Sequence, residues 1–307
     1  MKITERVDKH THVPKEKLVS KPPFPDAIKI EVTARCNLNC SYCATKKDLR
    51  AVGDMDEDFL YRILLEAKQA GVKEIGLFLL GEPFLLKKLP EYIRYTKEVA
   101  KIDYVFITTN GALCTPEKLT PVMDAGLDSL KISINAGNRE RYKELHGVDC
   151  FDKVISNVKW LSENKPNSLR TCVSAIFIEQ FRDELEQLKK FILQYVDEFY
   201  YLPLYNQAGH VGKRFPTKIV GNPGRYENMV PPIPCWGLFN SAKISWDGWL
   251  TACYFDHDTQ FEIANLKDFT LLEAWNHPKF VKLRLQHLNN NLADSLCAAC
   301  LGMPNNE

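Results

Sequence analysis

The sequence contains no uninterrupted apolar run of the roughly 18 residues that a membrane-spanning helix needs. Its first residues, MKITERVDKHTHVPKEK, are polar and charged and lack the apolar core of a secretory signal. A cytoplasmic protein that neither spans nor coats a membrane is therefore expected. Charge of one sign is also missing. Forty Lys and Arg face 39 Asp and Glu, a formal +1, which gives no electrostatic reason to bind nucleic acid or an acidic lipid surface. There is no internal repeat or low-complexity tract, and the seven histidines show no paired ligand spacing. What remains is a chain of 307 residues, 45% hydrophobic, enough for one large packed domain or a domain with an appendage.

Cysteine is the abundant exception. Ten cysteines are many for a compartment where disulfides rarely persist. Three fall at 36, 40 and 43 and four at 235, 253, 297 and 300, leaving Cys114, Cys150 and Cys172 scattered. Clustered thiols in a reducing compartment point to metal.

Between residues 26 and 204 short apolar runs alternate with helical patterns. AIKIEV, EIGLFLL, YVFITT, SLKISI, CVSAIFI and EFYYLPLY read as buried parallel strands. Helical spacing covers 56–70, 87–100, 115–124, 151–164 and 181–195, as with Phe59, Ile63, Leu64 and Ala67. The fold class predicted is α/β. Six strands are too few for a closed eight-stranded barrel, so a partial (β/α)6 barrel or an open sheet fits, with chemistry at the C-terminal strand ends. Four segments follow: an extension over 1–25, the barrel over 26–205, a Gly- and Pro-rich loop over the active site at 206–234, and a small unit over 235–307. In that last unit Asp247-Gly248 marks a hairpin turn and LLEAWNHPKFVKLRLQHL reads as helix.

The loop after the first strand reads TARCNLNCSYCAT. Thiolates in such short spacing suit zinc or iron–sulfur. Structural zinc takes four ligands, and here one loop offers three. A 4Fe–4S cube held by Cys36, Cys40 and Cys43 keeps one iron open to another ligand. A zinc knuckle completed by a distant residue, or buried unliganded cysteines, is the alternative.

This stretch resembles the radical S-adenosylmethionine (SAM) superfamily, whose C-x-x-x-C-x-x-C motif has an aromatic before the last cysteine, here Tyr42. LLGEPFL is similar to the family's Gly-Gly-Glu element, with Leu80 in place of the first glycine and Gly81 and Glu82 matching. TTNGALCTPE and KISINAGNRERYKELHG resemble the third- and fourth-strand elements. The resemblance implies SAM contacts at Tyr42, Gly81, Glu82, Asn110, Ser133 and Asn135, the last standing where many relatives carry Asp. It also implies a radical that takes hydrogen from an unreactive C–H bond, and an external electron donor such as a flavodoxin or ferredoxin.

Cys235 and Cys253 flank the hairpin, and Cys297 and Cys300 form a C-x-x-C. Four thiolates suit zinc or iron–sulfur alike. Beside the first motif, the set resembles the twitch form of the SPASM domain and the cysteine spacing of 2-deoxy-scyllo-inosamine dehydrogenase-type enzymes. That likeness implies an auxiliary 4Fe–4S cluster. Trp236, Trp246 and Tyr254 are expected to pack around it.

The activity expected is oxidation of a secondary alcohol in a small polyol, sugar or amino sugar. Peptide maturation by crosslinking and radical epimerisation are alternatives, as is a zinc-stapled binding protein without catalysis. Cys114 as a hydrogen-atom donor and His210 as a base are the candidate catalytic residues. Lys213, Arg214, Lys218 and Arg225 are candidates for a phosphate handle.

Overall fold

The computed structural model describes residues 1–44, 49–210 and 219–303. Strands β1 (Ala27–Ile30), β2 (Glu74–Gly76), β3 (Tyr104–Thr109), β4 (Ser129–Ser133), β5 (Arg170–Phe177) and β6 (Glu198–Pro203) all pair in parallel, in sequential order. This is the partial barrel the sequence predicts. Each crossover carries helix: α2 (Glu57–Gln69), α3 (Leu89–Arg94), α4 (Pro116–Asp124), α5 (Arg139–His146) with α6 (Phe151–Asn164), and α7 (Arg182–Ile192).

Local chemistry sets these boundaries. The Asp56 carboxylate caps α2 by accepting the Phe59 N–H at 2.9 Å, and Leu60, Ile63, Leu64 and Ala67 are its buried stripe. Gly147, at φ +71°, ends α5 in the left-handed conformation.

Three features depart from the sequence reading. First, the extension folds into helix α1 (Ile3–Thr11). Glu198 holds its N-terminus, accepting from Ile3 N at 2.6 Å and Thr4 N at 2.9 Å, as a carboxylate should at a positive helix end. Second, α5 was hidden by its polar sequence, although Tyr142, Leu145 and His146 are buried. Third, the C-terminal hairpin does not stand apart. Strand β7 (Ala242–Ile244) pairs in parallel with β1, and β8 (Trp249–Thr251) and β9 (Glu262–Asn265) follow antiparallel, giving one nine-stranded sheet. Gly248, at φ +100°, makes the expected turn. Helices α8 (Leu271–Trp275) and α9 (Pro278–Leu288) complete the chain. Among the described residues, no helix is long and apolar enough to cross a membrane.

Candidate active site

The three-cysteine loop leaves the C-terminal end of β1 and is stitched to two neighbouring strand ends. Gly81 lies so close to it that a Cβ would sit 2.1 Å from the Thr33 carbonyl oxygen, so only glycine permits this approach. The Glu82 N–H donates to Arg35 O at 2.8 Å. Asn110 donates its side-chain N–H to Asn37 Oδ1 at 2.9 Å and lies 3.9 Å from Cys36 Sγ.

Glu82 is buried and accepts from Phe84 N at 3.0 Å, Thr109 Oγ1 at 2.7 Å and Asn110 N at 2.8 Å. Burial pushes its carboxyl pKa up against these bonds. Three of about four acceptor positions are used, which leaves room for one further donor.

Tyr42 and Asn135 are both buried, and the Asn135 amide donates to the Tyr42 hydroxyl. Asn135 Oδ1 also accepts from Ile176 N at 2.8 Å. The Asn135 amide thus donates to one partner and accepts from the other. Ser133 ends β4 opposite Ser174. His146 was not singled out from the sequence. Its ring stacks on Tyr142 at 4.0 Å, and its Nδ1 lies 3.5 Å from Cys40 Sγ. Burial pushes its pKa down to about 3, so the imidazole is neutral.

In each cysteine set the thiols feel one another's charge: Cys40 with Cys43 and Cys36, and Cys297 with Cys235, Cys253 and Cys300. Burial raises the pKa values of Cys40, Cys235, Cys253, Cys297 and Cys300, to about 12 for Cys40 and about 11 for Cys300. Thiols so disfavoured as anions are not reactive nucleophiles, but they suit a centre that brings its own positive charge. The second four line one cavity, into which His287 also faces. The His287 Nε2 is buried with no partner among the described residues, so it can donate to a group held there. No group of three or more His, Cys, Asp or Glu among the described residues is arranged for a lone metal ion. Donor sets made of thiolates fit iron–sulfur cubes.

A cavity of about 250 Å³ lies inside the barrel, with helix α1 and strands β1, β3, β4 and β6 contributing to its lining. Leu79 and Leu80, beside Gly81, form one wall; Trp236 and Tyr254, beside Cys235 and Cys253, form another. Trp236 and Tyr254 pack with tilted rings, centroids 5.2 Å apart, and line the cavity, so they are cavity wall as well as packing.

Two candidates are corrected. Cys114 is fully buried, 3.6 Å from Thr109 Oγ1, and does not line the cavity; it is core and not placed to return hydrogen. His210 lies 3.2 Å from Asp258 in a separate groove of the C-terminal region, away from a substrate in the barrel. Arg225 pairs with Asp8 at 2.7 Å and Glu227 at 3.1 Å, so it is not a spare phosphate ligand. Lys213, Arg214 and Lys218 lie outside the described residues.

A six-stranded parallel half-barrel that carries one thiol set on the loop after β1 and a second set of four thiols around a C-terminal cavity defines an α/β enzyme built around metal–thiolate centres. The chain belongs to the radical SAM superfamily, whose family model matches residues 30–192; an iron-sulfur cluster-binding domain, SPASM, matches 235–301. Its cofactors are SAM with a 4Fe–4S cluster, and an auxiliary 4Fe–4S cluster. An uncharacterized protein of Methanocaldococcus jannaschii is 35% identical over 172 residues, 55% of this chain and 54% of that one. GTP 3',8-cyclase of Clostridium perfringens is 27% identical over 53% of this chain and 50% of its own length. The chain thus spans about half the length of these curated relatives. Among solved structures, BtrN in complex with AdoMet and 2-DOIA superposes with TM-score 0.60 and 19% identity, covering 92% of each chain. Streptococcus suis SuiB bound to precursor peptide SuiA gives TM-score 0.70 and 16% identity, covering 96% of this chain and 78% of that one.

Proposed function

We propose that this enzyme oxidises a secondary alcohol of a small polar substrate, a polyol, sugar or amino sugar, to a ketone. The observation that carries this reading is the internal cavity, about 250 Å³ in size, walled by Leu79 and Leu80 just before Gly81 on one side and by Trp236 and Tyr254, the neighbours of Cys235 and Cys253, on the other. When bound, SAM on a reduced 4Fe–4S cluster supplies a hydrogen-abstracting radical, and the auxiliary cluster supplies an electron acceptor.

Cys36, Cys40 and Cys43 are assigned to the first cluster, and Cys235, Cys253, Cys297 and Cys300 to the second. Gly81 lets the β2 loop press against the cysteine loop, and the free acceptor position of Glu82 suits the SAM ammonium. Asn110 and Ser133 stand at neighbouring strand ends, where they can bond the rest of that ligand. Tyr42 and Asn135 support the cysteine loop through their mutual hydrogen bond. The cavity walls orient the substrate and exclude water. An external electron donor of flavodoxin or ferredoxin type completes the cycle.

A second reading, peptide modification, is favoured by the likeness to SuiB; a cavity of this volume favours a small molecule. Anaerobic protein with SAM and dithionite is offered carbon-deuterated polyols, amino sugars and sugar phosphates. Deuterium in 5'-deoxyadenosine and a two-electron-oxidised product support the dehydrogenase. Transfer only from a peptide, or an isomerised product, would overturn it.

A further inference from the structure

The cavity is lined by bases without acids. Lys29, Lys131, Arg6 and His10 face it, and among the described residues no Asp or Glu does. Both lysines lie inside strands. Lys29 stands between buried Ile28 and Ile30 in β1 and lines the cavity together with Ile28; Lys131 stands between buried Leu130 and Ile132 in β4 and lines it alone of the three. Neither ammonium has a hydrogen bond or ion pair among the described residues. What they touch is aromatic. Lys29 Nζ lies 4.3 Å from the Tyr254 ring centre and 5.2 Å from that of Phe78, and Lys131 Nζ lies 5.7 Å from that of Tyr200.

Arg6 reaches in from α1 as a third cation. Its guanidinium stacks 3.8 Å above Phe106, and Nη1 meets Glu74 at 3.3 Å. Its Nε is buried with no partner among the described residues. Glu74 is shared with His10 at 2.9 Å, so it answers the charge of the helix and leaves the lysines unanswered. Burial, then the charges of Lys131, Arg6 and Lys243, hold the Lys29 pKa well below its ordinary value. Burial likewise brings Lys131 down to about 8. The charged form of each lysine is costly in the empty cavity, and a bound anion stabilises it, with proton uptake where the amine was neutral.

We propose that Lys29 and Lys131 form an anion site inside the barrel and that the substrate carries a phosphate monoester. This rests on the reading of the cavity as the substrate site. Charge balance selects the class: with both lysines protonated against the bound anion, two ammonium groups match a phosphate dianion, whereas a carboxylate answers only one of them. The alcohol to be oxidised then lies on the far side of the substrate, toward Leu79 and Leu80. The phosphate handle thus sits in the barrel wall.

The test uses anaerobic protein with both clusters reconstituted and SAM bound. Inorganic phosphate, acetate and neutral myo-inositol are titrated calorimetrically against wild type, K29M, K131M and K29M/K131M. Methionine keeps the side-chain length and removes the charge. Phosphate is expected to bind wild type, and each single change to weaken it by about tenfold or more. Acetate should bind at least about tenfold more weakly than phosphate, and myo-inositol should not displace it. Circular dichroism is expected to show native folding of all variants, since no partnered group is lost. Phosphate binding equally to K29M/K131M, no phosphate binding to wild type, or acetate binding as tightly as phosphate would overturn the proposal. Wild-type SAM cleavage without substrate is read separately. Its failure would sink the radical reading and leave the anion result standing.

Discussion

The Asn110 N–H donates to the Glu82 carboxylate across 2.8 Å, tying the end of β3 to the loop after β2. Thr109 and Phe84 donate to the same carboxylate at 2.7 and 3.0 Å. Glu82→Gln keeps the shape but turns an NH2 toward an N–H donor. A loss of about 1–3 kcal/mol is expected in urea unfolding, with weaker SAM binding. An unchanged midpoint would show that these bonds are not holding the loop.

Gly81→Ala acts by space alone. The added methyl would stand 2.1 Å from Thr33 O and 2.8 Å from Arg35 O, and backbone cannot swing aside as a side-chain tip can. The β2 loop must lift from the cysteine loop. We expect a stability cost of about 1–3 kcal/mol and a fall in SAM affinity, measured by equilibrium dialysis, larger than that for Gly126→Ala. Gly126 lies away from both loops, with a Lys97 side-chain carbon at 3.5 Å as its nearest neighbour; its φ of +90° supplies a strain control.

Helix α1 should come loose in acid. Burial tends to raise the Glu74 pKa, but bonds from His10 and Arg6 outweigh it and leave it below 4.5. Asp8 is held below 3.8 in the same way, burial being outweighed by Arg225 and Asn228. Carboxyls depressed in the folded state stabilise it above their unfolded values, and that stability is lost as pH falls through the folded values. Amide exchange over Ile3–Thr11 is expected to quicken below about pH 4.5, ahead of the strands. Asp8→Asn should quicken it already at pH 7. Exchange in step with the strands would contradict the independent release of α1.

Much of the fold was legible because parallel strands buried on both faces are continuous apolar runs, as in YVFITT. The thiol spacing carried the cofactors for the same reason: metal chemistry constrains residue type at short range. Helices α1 and α5 were not legible. Their sequences, ITERVDKHT and RERYKELH, bury little apolar surface and are fixed by distant partners such as Glu198, Glu74 and Glu184. Lys29 and Lys131 were hidden inside strands, since period-2 alternation does not say that the inner face borders a cavity. Cys114 and His210 look available along the chain; only packing and the Asp258 pair place them elsewhere.

The central claim is that Cys36, Cys40 and Cys43 hold a cluster with an open iron, separate from the one held by the other four cysteines. It is tested by iron content and 5'-deoxyadenosine production in C36A/C40A/C43A and C297A/C300A, reconstituted anaerobically beside wild type. We predict about eight iron atoms per wild-type chain and about four in the first variant, with no cleavage of SAM. The second variant should also lose about half its iron but still cleave SAM. Full iron in the first variant, or cleavage surviving there, would contradict the assignment.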